Sequence, residues 1–124
     1  KEIGVPVLVV HSASWTIAYG KYPEKLKDAL NQGTCLSATR YRCGDYFGIE
    51  DYMDTMKLAP KKEGEEFCRS IKDRLGDLVC CLPAKNLSFV KNPTVVGLGD
   101  FFAGGLASSL IDIQKPTDWK RERL

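Results

Sequence analysis

The residues of this chain best suited to chemistry lie in the run Asn92-Pro93-Thr94-Val95-Val96-Gly97-Leu98-Gly99-Asp100-Phe101-Phe102-Ala103-Gly104-Gly105. Two close glycines permit a backbone path that side chains would block. From about Asp100 to Ile111 the chain reads as a helix, with Phe102, Leu106 and Leu110 on one face. A helix N-terminus behind glycines offers unpaired N–H groups at the positive end of the macrodipole, which suits an anion such as phosphate. Gly97, Leu98 and Gly99 are therefore the expected anion hole, and Asp100 stands where such a site needs a base. The combination points to phosphoryl transfer to a hydroxyl. A simpler reading stands beside it, in which Asp100 is only an N-cap and the glycines only a turn.

A loop of this kind must be carried by a scaffold, and the chain reads as alternating strands and helices. Val5 to Val10 is a continuous apolar run, expected as a buried parallel strand. Tyr22 to Leu30 has helical spacing, with Asn31-Gln32-Gly33 as its stop. Thr34 to Thr39 reads as a second short strand, and Gly48 to Met56 as a short helix with Ile49, Tyr52, Met53 and Met56 on one side. Lys57 to Gly64 is expected as a surface loop around Pro60. Glu63 to Leu75 is the clearest helix: Phe67, Ile71 and Leu75 repeat at four-residue spacing and Gly76 ends it. Asp77 to Leu82 is a third strand, and Phe89-Val90 a short one before the glycine run. The alternation implies an α/β sheet of mainly parallel strands, in which ligands bind beyond the C-terminal strand ends. His11 and Leu82 lie at such ends.

Composition excludes several classes. At 124 residues the chain is one domain at most, and 44% hydrophobic residues can build its core. A net charge of +2 argues against nucleic acid and membrane partners. No apolar run reaches the roughly 18 residues of a membrane span, and Val5 to Val10 is too short for a signal-peptide core. The cysteines Cys35, Cys43, Cys68, Cys80 and Cys81 are odd in number and contain no C-x-x-C pair, so free, mostly buried thiols in a reducing cytosol are expected rather than a zinc site. Lys120, Arg121 and Arg123 read as a solvated basic tail, and Glu50, Asp51 and Asp54 as surface charges.

Gly97-Leu98-Gly99-Asp100, followed by Phe102 and Gly105, resembles the G-x-G-D motif of ribokinase-like sugar kinases. Asn92-Pro93-Thr94 narrows the likeness to the ADP-dependent phosphofructokinase and glucokinase family. Val7-Leu8-Val9-Val10-His11-Ser12 is similar to that family's strand ending in a histidine and a small hydroxyl residue, and Ala38-Thr39-Arg40-Tyr41-Arg42-Cys43-Gly44-Asp45 resembles its phosphofructokinase branch. Phe101 departs from the small or hydroxyl residue that many relatives carry after the aspartate. The resemblance runs from about Val5 to Leu110. It implies the C-terminal part of a large Rossmann-like domain: a three-layer sheet of mainly parallel strands, completed by an N-terminal portion outside this chain. It implies a cytoplasmic enzyme of modified glycolysis, with ADP as phosphoryl donor and fructose 6-phosphate or glucose as acceptor. Asp100 is then the base, and His11, Trp15 and Val90 border the adenine. Arg40 and Arg42 are candidates for phosphate or for structure. Magnesium should accompany the nucleotide, with Asp100 a candidate ligand; the family's N-x-x-E metal motif is absent from these 124 residues, so other ligands must come from elsewhere. The isolated segment is expected to be inactive. Two alternatives remain open: an ATP-dependent ribokinase-like kinase and a non-catalytic nucleotide-binding fragment.

Overall fold

The computed structural model describes residues 7–114; Val5, Pro6 and the basic residues Lys120, Arg121 and Arg123 lie outside the described residues. The elements are β1 (Val7–His11), β2 (Trp15–Gly20), a 3-10 turn (Pro23–Leu26), α1 (Lys27–Cys43), α2 (Ile49–Met56), α3 (Lys62–Leu75), a second 3-10 turn (Gly76–Leu78), β3 (Val79–Pro83) and α4 (Leu98–Gln114). The three strands form one sheet in the order β1-β2-β3.

The sheet corrects the expectation of parallel strands. Both pairings are antiparallel, with Val7 opposite Gly20, His11 opposite Thr16, Trp15 opposite Pro83 and Tyr19 opposite Val79. For β1 and β2 the reason lies in Ser12-Ala13-Ser14, which turns the chain straight back on itself. The Ser12 N–H and hydroxyl both donate to the Trp15 carbonyl at 2.9 Å, and the Ser12 oxygen accepts from the N–H groups of Ser14 and Trp15 at 3.3 and 3.2 Å. A hairpin so short forces an antiparallel partner, because a parallel one needs a long crossover. β2 was not legible as a strand from sequence; it sits at the centre of the sheet, with Thr16 and Ala18 fully buried.

The expected strand Thr34 to Thr39 is also corrected: these residues continue α1, which passes through Asn31-Gln32-Gly33 without stopping. Tertiary contacts outweigh local propensity here. The Thr39 hydroxyl meets that of Thr55 in α2 at 2.8 Å, and the Thr34 hydroxyl meets that of Thr16 at 3.0 Å. Gly33 is needed because α4 crosses against it. A Cβ at Gly33 would stand 2.7 Å from the Phe102 carbonyl, and one at Gly105 would stand 2.8 Å from the Gly33 Cα. Helix α1 ends instead at Gly44, with φ +81°. Because backbone cannot retreat as a flexible side chain can, Gly105→Ala is expected to destabilise the fold by about 1–3 kcal/mol despite the better helix propensity of alanine. A lowered unfolding midpoint in denaturant checks this.

The remaining corrections are smaller. Asp77 and Leu78 belong to a 3-10 turn, so β3 begins at Val79. Phe89-Val90 forms no strand; the Val90 N–H donates to the Leu87 carbonyl in a turn. The Lys57 to Gly64 stretch is shorter as a loop, since α3 starts at Lys62. Ile49, Met53 and Met56 share a face of α2, but that face is exposed, and Thr55 is the buried residue of the helix.

Ala18, Leu30, Cys80 and Phe102 form the core, with Val7, Val9, Leu26, Leu82 and Leu106 packed around it. Helices α1 and α4 cover this face. On the other face Trp15 stacks on Phe67 of α3, ring centroids 4.4 Å apart. The five thiols are free; Cys35 and Cys80 are buried, while Cys43, Cys68 and Cys81 are half-buried. Desolvation pushes the Cys80 pKa up to about 11, so this thiol stays protonated at neutral pH.

Candidate functional site

A cavity of about 280 Å³ opens where β1 ends, between α1, the loop after β3 and the start of α4. His11, Ser12, Thr34, Ser37, Tyr41, Lys61, Lys85, Asn86, Ser88 and Leu98 line it together with apolar neighbours. His11 is the hinge of this arrangement. Its ring stacks on Phe102 of α4 at 4.2 Å, nearly parallel at 10°, and its Nδ1 lies 3.1 Å from the Thr16 hydroxyl, which continues to Thr34. The last residue of β1 thus touches the helix that follows the glycine run.

Burial holds the His11 pKa below its usual 6.5. Burial favours the neutral ring, and the Thr16 hydroxyl can serve either tautomer, donating to Nδ1 or accepting from it. The unfolded chain binds the proton more readily than the folded one. Stability from this group is therefore full above pH 6.5 and falls as the pH drops through that value. His11 is the one histidine in the chain, so His11→Gln is expected to flatten the decline between pH 7.5 and 5.5. Denaturant unfolding at the two pH values measures it.

Helix α4 begins two residues earlier than its sequence suggests. The Phe101 N–H donates to the Gly97 carbonyl at 3.1 Å, so Gly97, at φ +81°, is the N-cap position. Leu98, Gly99 and Asp100 are the first three helical residues, whose N–H groups have no carbonyl one turn back to meet. Asp100 is therefore not the N-cap. Its side chain is exposed, and none of the described side-chain hydrogen bonds uses its carboxylate. Leu98 lies on the cavity wall, and Ser37 of α1 donates to its carbonyl at 3.1 Å.

The other anticipated residues are distributed unevenly. Trp15 points to the opposite face of the sheet from His11, against Phe67, and does not line the cavity. Val90 is half-buried beside the cavity segment, but Leu87 and Ser88 supply the wall there. Arg42 donates to the Asp51 carbonyl at 2.7 Å and to the Thr55 hydroxyl at 3.2 Å, joining α1 to α2. Sequence reasoning missed Tyr41, Lys61, Lys85 and Asn86. Lys85 donates to the carbonyls of Met56 and Leu58 at 3.0 and 3.2 Å, capping α2. A lysine just past a strand end was the only signal for it.

Among the described residues no group of three or more His, Cys, Asp or Glu side chains converges on a metal position; a nucleotide-bound magnesium takes only one or two carboxylates beside the phosphates, and Asp100 is an exposed carboxylate at the start of α4. None of their helices is long and apolar enough to cross a membrane.

No family model matches the chain, and no curated protein matches it. Solved structures do. A phosphofructokinase from Pyrococcus horikoshii OT3 with AMP matches 88% of this chain at 27% identity and a TM-score of 0.70. A hypothetical ADP-dependent phosphofructokinase from the same organism matches 88% at 26% identity and a TM-score of 0.71. An ADP-dependent kinase in complex with fructose-6-phosphate and ADPβS shares the fold at 18% identity, with 86% of this chain covered and a TM-score of 0.68. The chain spans 26%, 26% and 28% of those three chains, respectively. It corresponds to one part of the ADP-dependent phosphofructokinase fold.

Proposed function

We propose that this chain is the C-terminal part of the large nucleotide-binding domain of a cytoplasmic ADP-dependent sugar kinase. The reaction is transfer of a phosphoryl group from ADP to a hydroxyl of a sugar or sugar phosphate. Fructose 6-phosphate is favoured over glucose by the Ala38 to Asp45 segment and by the names of the matched structures. The single observation that carries the reading is the meeting of His11 and Leu98 on one cavity, with Leu98 opening the helix whose third residue is Asp100.

The start of α4 beside the cavity supports the following sequence of events. The nucleotide base occupies the cavity beside His11 and Tyr41, with its phosphates directed to the start of α4. The N–H groups of the Gly97–Gly99 turn donate to phosphoryl oxygens where negative charge gathers in the transition state; losing one such donor typically costs about 10²–10³ in rate. Asp100 accepts the proton of the attacking hydroxyl as the new O–P bond forms and the bond to the AMP oxygen breaks. Magnesium, when bound, would supply charge neutralisation to the phosphates, with Asp100 a candidate ligand and the other ligands outside this chain. The Rossmann-like sheet of mainly parallel strands belongs to the whole kinase, with this antiparallel hairpin and β3 as one section of it.

A coupled assay on the full-length kinase tests the proposal. Magnesium-dependent conversion of ADP to AMP with phosphorylation of fructose 6-phosphate is the expected result. Turnover with ATP and none with ADP would place the protein among the wider ribokinase-like kinases. Nucleotide binding with no transfer to either sugar would leave only a binding role.

A further inference from the structure

Arg40 projects from α1 beneath the loop that leads into α4, with its side chain only 13% exposed. Its Nε and Nη2 both donate to the Val96 carbonyl at 3.3 Å, and its Nη1 is paired with the Asp45 carboxylate just beyond the end of α1. The guanidinium also lies over the Phe101 ring, with Cζ 5.2 Å from the centroid. Phe101 in turn tilts against Phe47 at 6.0 Å. One planar cation thus holds the residue immediately before Gly97 and the residue immediately after Asp100. Ser37 on the Leu98 carbonyl and the Thr94 N–H on the Tyr41 carbonyl, at 3.0 Å, anchor the same segment to α1.

We infer that Arg40 is a positioning residue: by clamping Val96 and Phe101 it sets the direction of the Leu98 and Gly99 N–H groups and of the Asp100 carboxylate. The fork is committed to Val96 and Asp45, which gives it a role other than phosphate binding. Gly97 makes the clamp necessary. A glycine at positive φ is a loose joint, and a joint next to an anion hole must be stiffened from outside. Lysine cannot substitute, because a single ammonium can neither bridge the carbonyl and the carboxylate in one plane nor stack on the ring in the same way. The inference rests on the phosphoryl-transfer reading of Asp100.

The test uses the full-length kinase and three variants, Arg40→Lys, Asp45→Asn and Asp100→Asn. Misplacing reacting groups by about 1 Å can cost about 10²-fold in rate. Arg40→Lys is therefore expected to lower kcat by about 10- to 100-fold, with KM for ADP within about twofold and the melting temperature close to that of the parent. A purely structural arginine would instead lower the melting temperature and leave the kcat of the folded fraction intact. Wild-type kcat in folded Arg40→Lys overturns the inference. If that variant does not accumulate as folded protein, Asp45→Asn decides. Its carboxylate is exposed, its loss loosens the fork from the far side, and kcat is expected to fall about threefold with KM unchanged; unchanged kcat overturns the inference. Asp100→Asn separates the two ideas. Normal turnover there removes the phosphoryl-transfer reading and the inference with it, whereas an inactive Asp100→Asn beside a fully active Arg40→Lys removes the inference alone.

Discussion

Asp100→Asn is expected to lower kcat of the full-length kinase by at least about 10²-fold, the scale on which general-base assistance is lost, while nucleotide affinity changes much less. The expectation follows from the helix start. Gly97 occupies the N-cap position, so the Asp100 carboxylate is not consumed in closing the first turn. It is exposed, two residues along from the cavity-lining Leu98, and beside N–H groups that favour negative charge. Asparagine keeps the shape and helix preference of the site and removes only the ability to take a proton. Single-turnover and steady-state rates with ADP and fructose 6-phosphate measure the effect; near-normal turnover would sink the assignment of Asp100 as base.

The second large effect concerns the 124 residues by themselves. They are expected to show no ADP-dependent phosphorylation of fructose 6-phosphate or glucose. The described residues gather no metal-ligand cluster, and they span about a quarter of the matched kinases. Leu8 and Val10 on edge strand β1 are 58% and 40% exposed, and Tyr19, opposite Leu8, is 44% exposed. An apolar strip on an unpaired strand invites association, so the isolated segment should be poorly soluble or oligomeric. Supplying the remainder of the kinase, in cis or as a second chain, is expected to restore both solubility and turnover. A coupled assay together with light scattering on the purified segment checks both halves. Clear magnesium-dependent turnover from the segment alone would show that these residues hold a complete active site, and would overturn the expectation.

Legibility followed the distance over which each signal acts. Helix α3 was plain because Phe67, Ile71 and Leu75 carry their own period and Gly76 its own stop. The glycine run was plain because its chemistry is local: glycine, glycine and acid in four residues dictate a turn, free N–H groups and a carboxylate. The sequence by itself thus determined the α/β character, the α2, α3 and α4 helices, β1 and β3 to within two residues, and the motif that carries the resemblance.

The tertiary structure decided what depends on neighbours far along the chain. Trp15–Gly20 became the central strand because the Ser12 turn folds it onto β1 and because Thr16 and Ala18 find α1 and Phe102 to cover them. Thr34–Thr39 became helix because Thr34, Ser37 and Thr39 found partners in Thr16, Leu98 and Thr55 that an isolated segment lacks, and because Gly33 admitted the α4 backbone at Gly105. The same long-range packing placed Trp15 away from the cavity and brought Tyr41, Lys61 and Lys85 into it. It also brought Arg40, a candidate for phosphate or for structure just past the expected strand, against Val96 and Phe101. Local propensity reaches only a few residues, whereas burial and partner satisfaction act across the whole fold, and at α1 the second outweighed the first.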